Sequence, residues 1–439
     1  MASDTNQRVH RTAAILSIGD ELALGETVDT NSAWIAQWLT IHGVKPITHV
    51  TVDDDLDSIV AILRELAARV DVVISSGGLG PTDDDLTRPA LARAIGDELV
   101  EDAEALAFLT TRFRAIGREL LEANRVQTLR PASGRCLDND RGTAPGLAAS
   151  LMEDGRACDF FCLPGPPREM RPMFERSVLP ALHPPRDRVV RLRTLHVFGL
   201  PESQIPALLG GLMERGRNPV VGTSAQTGYV TCKIRFEGDP AEADSALDGA
   251  EAQVRAALDP FVYGADEETL ATTVSGLLRD RRETVATAES CTGGLVAKML
   301  TDLAGSSDIF VGGWATYSNE FKHGSLGVPL DVIEKCGAVS EDVARAMAEG
   351  ALTRSEAFGR PATHALAITG VAGPGGGTRV KPVGTVWIAR ATRGEDTDAR
   401  LFRFSDHRDA IRERSALAAL GMLRLKLIER TDVKLLWEQ

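Results

Sequence analysis

Short apolar runs alternate with helical patterns along the first 180 residues. The runs TAAILSIG (12–19) and DVVISSGG (71–78) predict buried strands, whereas Trp34, Ile35 and Trp38 recur at helical spacing between them. Strands that alternate with helices require crossover connections, so the pattern predicts a doubly wound, mostly parallel sheet covered on both faces. Ligands bind at the carboxyl ends of the strands in such α/β sheets.

The pattern changes near residues 180–188, where PALHPPRDR clusters proline and charge as a linker does. Beyond it, VVRLRTLHVFG and VTCKIRFEG predict strands, while PESQIPALLGGLME and PAEADSALDGAEAQVRAAL predict helices. These four elements indicate a small α+β module that ends near Gly264.

A third segment follows, with a helix predicted over 266–280 and a strand over 284–290 that enters the turn CTGG. Further strands are predicted at IFVGGWATY, THALAITG and GTVWIARA, before a long helix from Asp406 towards Leu427. The sequence therefore predicts three domains of different α/β or α+β fold, over 1–185, 186–264 and 265–439.

Composition supports a globular protein with several cores. The chain has 439 residues, of which 43% are hydrophobic and 25% charged. The net charge of −13 argues against a general affinity for nucleic acid or anionic membrane, so phosphate binding must be local. The six scattered cysteines predict reduced thiols, and the sequence offers neither a signal peptide nor a membrane span, so we expect a cytoplasmic protein.

The strongest motif of the first segment is SSGGLGPTDDDLT (75–87), directly after a predicted strand. Glycines permit close backbone approach, so N–H groups of such a loop can bind phosphate oxygens, and the aspartates that follow can ligate a magnesium-type ion. A plain strand-to-helix turn with Thr82 or Asp83 as the helix cap is the structural alternative.

Three other loops, GDELALGETVDTN (19–31), RGTAPG (141–146) and LPGPPREM (163–170), belong at the same edge of the sheet. Together with the glycine motif they resemble the domain shared by CinA proteins and molybdopterin-biosynthesis enzymes. In the CinA branch the resemblance implies hydrolysis of ADP-ribose to AMP and ribose 5-phosphate, with a divalent metal such as magnesium and stimulation by potassium. In the molybdopterin branch it implies pterin binding and adenylyl transfer, which remains the alternative.

The resemblance carries over to individual residues of this chain. It assigns Asp20, Asp84 and Asp85 to the metal, and it places Glu21 and Asp29 near substrate or metal. The substrate-binding residues that it implies are Asn31, Gly77, Gly78, Gly80 and Thr82. One departure is NRVQTLRP (124–131), where Arg125 stands in place of the family's usual lysine with a different geometry.

The middle segment contains no cluster of catalytic residue types and reads as a connector. It resembles the KH-type module of CinA proteins, which raises RNA binding as an alternative. The GxxG loop of a KH module is not evident and the charge is mixed, so we expect no nucleic-acid partner here.

Three motifs of the last segment match the C-terminal CinA family: TAESCTGG (287–294), GSSDIFVGGWATYSNEFK (305–322) and ITGVAGPGGG (368–377). That resemblance implies deamidation of nicotinamide mononucleotide to nicotinic acid mononucleotide and ammonia, without a cofactor. It assigns Ser307 as nucleophile and Lys322 as base, with Tyr317 and Thr369 as supporting residues. The substrate-binding residues that it implies are Glu289, Ser290, Gly373, Gly375 and Arg412.

The residue types fit such a reaction, because a lysine whose pKa is lowered by burial can deprotonate a serine. Taken one at a time, Ser307 could be a helix cap, Tyr317 a core residue and Lys322 a surface charge. Only their combination favours catalysis. Cys291, in a strand-to-helix turn, is the rival nucleophile, although a small buried residue is the simpler interpretation. Arg408 and Arg414 are further candidate phosphate ligands beside Arg412.

The sequence therefore predicts a bifunctional hydrolase of pyridine-nucleotide salvage, with nicotinamide mononucleotide and ADP-ribose as its small-molecule partners. The family resemblance also implies a homodimer, and no membrane partner is expected. A non-enzymatic competence or recombination accessory protein is the rival interpretation. Two observations count against it: the acidic net charge, and the set of serine, tyrosine, lysine and threonine residues.

Overall fold

The computed structural model describes residues 8–115, 117–357 and 359–439. The chain divides into two compact units: one runs to Arg191 and includes Glu237–Asp244, and the other comprises Leu192–Phe236 and Ser245–Gln439. Most of the predicted middle module therefore falls in the second unit, and the division into three domains stays a prediction.

The first unit is built on a six-stranded sheet of order β2-β1-β3-β8-β7-β6. Strands β2, β1, β3 and β8 are parallel, while β7 and β6 add to the sheet in antiparallel pairing. Two short strands, β4 and β5, form a separate antiparallel pair. The strands are β1 Thr12–Ile18, β2 Lys45–Val52, β3 Val72–Ser76, β4 Leu99–Glu101, β5 Leu129–Pro131, β6 Arg135–Leu137, β7 Gly146–Glu153 and β8 Arg156–Leu163.

Seven α-helices belong to the described part of this unit, and most of the longer ones cover the sheet. They are α1 Asp20–Ala23, α2 Thr30–Ile41, α3 Leu56–Ala67, α4 Thr87–Ile95, α5 Ala103–Ala115, α6 Glu122–Arg125 and α7 Pro167–Met173. A 3₁₀ turn spans Val126–Thr128, a π-helical turn Phe174–Val178 and a further 3₁₀ turn Leu179–Ala181.

Both faces of this sheet are buried, as the apolar runs predict. Alternate residues of β1 enter different cores: Leu16 packs with Ile59 of α3, whereas Ile15 packs with Ile35 of α2. Because successive side chains of a strand point to opposite faces, a fully apolar run such as β1 needs helices on both sides. The predicted doubly wound, mostly parallel sheet is confirmed.

The second unit contains a four-stranded sheet of order β10-β11-β9-β12 and a five-stranded sheet of order β14-β13-β15-β16-β17. Strands β13, β14 and β15 of the larger sheet are parallel, and β16 and β17 are antiparallel. The strands are β9 Val189–Val197, β10 Val220–Ala225, β11 Val230–Gly238, β12 Val262–Ala265, β13 Val285–Glu289, β14 Phe310–Ala315, β15 His364–Gly370, β16 Thr385–Thr392 and β17 Asp398–Arg403.

Helices also cover both faces of the five-stranded sheet. One core joins Val274, Val296 and Leu423, from three different helices, and another gathers Leu326 and Met347. The helices are α8 Ile205–Leu209, α9 Pro240–Ala257, α10 Leu270–Arg281, α11 Leu295–Thr301, α12 Asn319–Leu326, α13 Leu330–Cys336, α14 Glu341–Ala357 and α15 Arg408–Leu427.

One predicted helix is wrong. The segment PESQIPALLGGLME (201–214) forms only the short helix α8 between the 3₁₀ turns Glu202–Gln204 and Gly210–Met213. The paired glycines at 210 and 211 are poor helix formers, so α8 ends at Leu209. In the part of the chain that is described, no helix is both long and apolar enough to cross a membrane.

Candidate active sites

A serine and a lysine meet at the carboxyl edge of the five-stranded sheet. Ser290 follows the last residue of β13 directly, and Lys322 reaches it from α12. The Lys322 Nζ lies 3.1 Å from Ser290 Oγ and 3.0 Å from the carbonyl oxygen of Thr316. This is the position at which α/β sheets place their ligands.

The amine of Lys322 is buried among neutral oxygen atoms. The residue is only 1% exposed, and Nζ contacts the Ser290 hydroxyl and the carbonyl oxygens of Thr316 and Tyr317. Burial lowers the pKa of Lys322, because the ammonium form loses its hydration, and the negative charge of Glu320 offsets this only in part. A lysine in this state can take a proton from the serine hydroxyl that it contacts.

The turn that presents Ser290 is fixed by the carboxylate of Glu289. Oε2 of this buried side chain accepts hydrogen bonds from the N–H groups of Gly294 and Val296, and Oε1 accepts one from Ala297. A carboxylate at the start of α11 also complements the helix dipole. Glu289 therefore orients the turn, and both its oxygens are engaged by the backbone.

Arginines of α15 attach to the same turn and to the glycine-rich loop. Arg412 donates through Nε to the carbonyl of Cys291 and through Nη2 to that of Thr292. Arg408 donates to the carbonyl of Gly373 and, at 3.1 Å, to the hydroxyl of Tyr317. The two guanidinium groups thus hold in place the turn after β13 and the glycine-rich loop, both of which the sequence assigned to substrate binding.

Arg414 points elsewhere. It donates to the carbonyl of Ser405 and to the carboxylate of Asp406, and its guanidinium lies over the ring of Trp437. These contacts engage the guanidinium of Arg414, which the sequence made a candidate phosphate ligand.

Thr369 is the penultimate residue of β15, beside Ser290 and Lys322. The N–H of Ser290 donates to the carbonyl of Ile368, which places Thr369 next to the turn. The Thr369 hydroxyl is buried and donates at 2.7 Å to the carbonyl of Ala338. Its predicted supporting role fits this anchoring contact, while Gly375 lies exposed in the loop that follows.

Ser307 does not reach Lys322, and this is a correction to the sequence analysis. Ser307 is exposed in the 3₁₀ turn Ser306–Asp308, before β14 begins, whereas Lys322 lies after β14 ends. A six-residue strand separates the two ends by roughly 17–20 Å. The parallel register pairs the end of β13 with the end of β14, so Ser290 takes the place beside the lysine.

Cys291 is poorly suited to act as a nucleophile. Its thiol is buried, and burial raises the pKa of Cys291 to about 12. The thiolate is the reactive form, so a thiol in this state is inert at neutral pH. The packing interpretation of Cys291 is the one that the geometry favours.

Two buried threonine hydroxyls beside the dyad escaped the sequence analysis. Thr292 and Thr316 are fully buried, and neither hydroxyl has a hydrogen-bond partner among the described residues. The signal available in the sequence was their place at or just beyond the carboxyl ends of two strands, which also applies to Ser290.

The first unit carries a separate pocket at the carboxyl edge of its sheet. A cavity of about 360 Å³ is lined by the loop from Gly77 to Pro81 together with Asp54, Asp84 and the segment 164–166. Gly77 has a φ of +109°, and a Cβ there would lie 2.0 Å from the carbonyl oxygen of Ile18. The loop can therefore pass this close to β1 only with glycine.

Asp85, which the sequence assigned to the metal, lines the cavity, but both its carboxylate oxygens already accept hydrogen bonds from the glycine loop. Its Oδ1 accepts from the N–H of Gly80, and its Oδ2 accepts from both the N–H and the hydroxyl of Thr82. These bonds close the loop on itself. Asp85 and Thr82 thus act as structural residues of the glycine loop.

Acidic residues nevertheless crowd one side of the cavity. Burial raises the pKa of Asp54, and the negative charges of Asp20, Glu21 and Asp84 raise it further. The N–H of Asp20 and the N–H of Asp54 each donate to the other residue's carboxylate. Across the described ranges no group of three or more acidic, histidine or cysteine side chains stands ready to hold a metal ion.

The remaining predicted residues have structural partners. Asp29 caps α2 through the N–H of Ser32, and although burial opposes it, hydrogen bonds from Ser17 and Ser32 lower the pKa of Asp29. Asn31 donates to the carbonyl of Gly165, which links the first loop to the proline-rich loop. Arg125 is paired with Glu101 at 2.7 Å.

Family comparisons cover almost the entire chain. A family model described as "CinA C-terminal domain" matches residues 267–427, "Probable molybdopterin binding domain" matches 14–184, and "Damage-inducible protein CinA KH domain" matches 192–264. The first of these contains the serine and lysine site, and the second contains the glycine-loop cavity.

Similar proteins match this chain along nearly their whole length. A "Putative competence-damage inducible protein" of Symbiobacterium thermophilum is 44% identical over 96% of this chain and 100% of its own length. A "CinA-like protein" of Geotalea daltonii is 43% identical over 95% of this chain and 99% of its own. A solved structure, the competence/damage inducible protein CihA from Agrobacterium tumefaciens, is 42% identical over 36% of this chain and 93% of its own, with a TM-score of 0.34. With 44% identity along nearly its whole length, the chain belongs to the CinA family.

Proposed function

We propose that the second unit hydrolyses the carboxamide of nicotinamide mononucleotide, with Ser290 as nucleophile and Lys322 as general base. The observation that carries this proposal is the 3.1 Å contact between a buried lysine amine and a serine hydroxyl at the edge of the sheet. The choice of substrate rests on the resemblance of the three C-terminal motifs to the CinA family.

The reaction follows from the chemistry of these two groups. Neutral Lys322 takes the proton of the Ser290 hydroxyl while Oγ attacks the carboxamide carbon, which gives a tetrahedral intermediate with a negative oxygen. Collapse of that intermediate breaks the carbon–nitrogen bond, and the lysine ammonium returns the proton to the departing ammonia. An ester of Ser290 remains.

Water then completes the cycle. Lys322 removes a proton from a water molecule that attacks the ester, and the serine oxygen leaves with that proton, so that the carboxylic acid and free enzyme are formed. The negative oxygen of each intermediate needs hydrogen-bond donors. The unpartnered hydroxyl of Thr292, two residues beyond Ser290, is the donor that we assign to it.

Ammonia release tests this proposal directly. The purified full-length chain is incubated with nicotinamide mononucleotide, and ammonia and nicotinic acid mononucleotide are measured. The Lys322→Arg variant is the matched control, because it keeps a cation that cannot lose its proton at neutral pH. The proposal fails if wild type releases no ammonia, or if Lys322→Arg is as active as wild type.

We assign hydrolysis of ADP-ribose to AMP and ribose 5-phosphate to the glycine-loop cavity as a second activity. The observation in its favour is a cavity lined by the glycine loop and by a set of carboxylates, which together can take a diphosphate with its magnesium ion. Magnesium is usually bound by one or two carboxylates and by substrate phosphates, and Asp84 and Asp54 fit that role. A bound ion would neutralise phosphate charge at this site.

Product analysis separates this activity from the pterin alternative. The chain is incubated with magnesium and either ADP-ribose or a molybdopterin with ATP, and the nucleotide products are separated. Release of AMP and ribose 5-phosphate from ADP-ribose supports the hydrolase. Transfer of adenylate to the pterin, without cleavage of ADP-ribose, would replace it.

A further inference from the structure

The glycine-loop cavity has a second set of polar walls that phosphate binding does not explain. Besides the loop, Gln127, Thr143 and Glu169 line the cavity, and each comes from a different segment of the first unit. Gln127 lies in the 3₁₀ turn Val126–Thr128, and Glu169 lies on α7.

The amide of Gln127 is buried without a partner. The side chain is 1% exposed, and its Oε1 has no hydrogen-bond partner in the described part of the chain. The turn around it is held independently, because the hydroxyl of the neighbouring Thr128 donates to the carbonyl of Arg125. A buried acceptor without a hydrogen-bond partner is unfavourable, so a ligand that satisfies it is the natural explanation.

The carboxylate of Glu169 is built into the wall. The residue is 9% exposed, and its Oε2 accepts at 2.9 Å from the amide of Asn139, which also donates to the carbonyl of Ala144. A Cβ at position 142 would lie 1.7 Å from Glu169 Oε2, so only Gly142 lets the turn close over the carboxylate. The other oxygen, Oε1, lies 3.8 Å from the Nε of Arg168.

Gln127 and Glu169 both present hydrogen-bond acceptors, so they favour a ligand group that carries hydrogen-bond donors. Glu169 can only accept hydrogen bonds when ionised, and the amide of Gln127 has an unpaired acceptor oxygen beside its N–H donors. Phosphate oxygens carry no donor and are repelled by a carboxylate, so Glu169 does not bind the phosphates. Vicinal hydroxyls supply two donors side by side, and an acidic residue that accepts from ribose hydroxyls is a recurring device of nucleotide-binding α/β folds.

We propose that Gln127 and Glu169 form a subsite that binds the vicinal hydroxyls of a ribose whose phosphate lies on the glycine loop. The inference deepens the second proposed activity and rests on the glycine loop as the phosphate site. It names the ligand class of the cavity as phosphorylated riboses, and it excludes the corresponding deoxy sugars.

Binding of AMP and its 2′,3′-dideoxy analogue to the full-length chain tests the subsite, measured by isothermal titration with magnesium present. The wild-type chain should bind AMP at least about tenfold more tightly, since two hydrogen bonds to buried acceptors are lost with the hydroxyls. Glu169→Gln should reduce this preference to about twofold while the affinity for inorganic pyrophosphate stays within about twofold. Glu122→Gln, an exposed carboxylate outside the cavity, is the matched control and should keep the preference.

A second variant guards against misfolding. Gln127→Met removes an amide whose Oε1 bonds to nothing in the described chain, so it should lower the preference without lowering the melting temperature. Equal binding of AMP and the dideoxy analogue by wild type would overturn the proposal. So would a preference that survives both variants, or a parallel loss of pyrophosphate affinity. A clear preference for AMP in a chain that does not cleave ADP-ribose would refute the proposed hydrolysis and leave the subsite intact.

Discussion

Ser290→Ala is the substitution that tests the dyad most directly. It removes one oxygen atom from a residue that is 8% exposed, and it leaves the backbone of the turn untouched. Glu289 still binds three N–H groups at the start of α11, so the turn keeps its shape. We expect a folded protein that has lost the deamidase reaction.

The size of each effect follows from the contacts. The Ser290 hydroxyl takes part in one described hydrogen bond, with Lys322, so its removal should cost about 1 kcal/mol of unfolding free energy. Lys322 keeps the carbonyl of Thr316 as a partner. Removal of a catalytic serine lowers kcat by about 10⁶-fold, which exceeds the effect of any change in packing.

Ser307→Ala is the matched control, because it removes the same atom from an exposed serine that lies before the start of β14. Its ammonia release should stay within about twofold of wild type, and its melting temperature within about 1 °C. Steady-state ammonia release and thermal melting of both variants provide the comparison. An inactive Ser307→Ala enzyme beside an active Ser290→Ala enzyme would refute the assignment and restore Ser307.

Three further predictions concern the two sites. Because burial lowers the pKa of Lys322 from 10.5, the deamidase rate should rise as the pH rises through that lowered pKa and fall on acidification; a flat pH–rate profile between pH 5 and 10 would argue against a lysine base. Cys291→Ala should retain activity within about tenfold and lose about 1 kcal/mol of stability through packing. Inactivation of the folded wild-type protein by thiol alkylation would contradict this. Chelation of magnesium and Asp84→Asn should both abolish ADP-ribose cleavage and spare ammonia release. Asp85→Asn should lower the melting temperature as well, because the carboxylate oxygens of Asp85 bind Gly80 and Thr82. Loss of both activities on chelation would show that the sites are not independent.

The strands and long helices were predictable because burial on both faces leaves a strong pattern. The run TAAILSIG became β1, THALAITG became β15, and the helix predicted from Asp406 became α15. The middle segment was harder, since a helix of five residues between 3₁₀ turns carries too few positions to show a period.

The residues of the C-terminal site were predictable as a set, but their pairing was not. The motifs contain both Ser290 and Lys322, yet the family resemblance assigned Ser307 as the nucleophile. Ser307 and Lys322 flank the same strand, and a strand carries the chain from one edge of a sheet to the other. Parallel register decides which ends meet, and register is a tertiary property that no single motif encodes.

The same limit applies to the first unit. The sequence identified the glycine loop and its aspartates, but it could not show that Asp54 joins them at the cavity or that the oxygens of Asp85 are bonded to the loop itself. Gln127 carried no local signal, because an amide becomes noteworthy only when burial leaves it without a partner.

The cap that Glu289 places on α11 also restricts how a substrate can lie. Helix starts usually attract phosphate groups through their free N–H groups, but here a buried carboxylate already occupies three of them and cancels the positive end of the helix. A phosphate placed there would meet both a negative charge and a lack of donors. The turn is thus electrostatically unfavourable for a phosphate, so under the proposed mechanism the phosphate of a mononucleotide lies away from the start of α11.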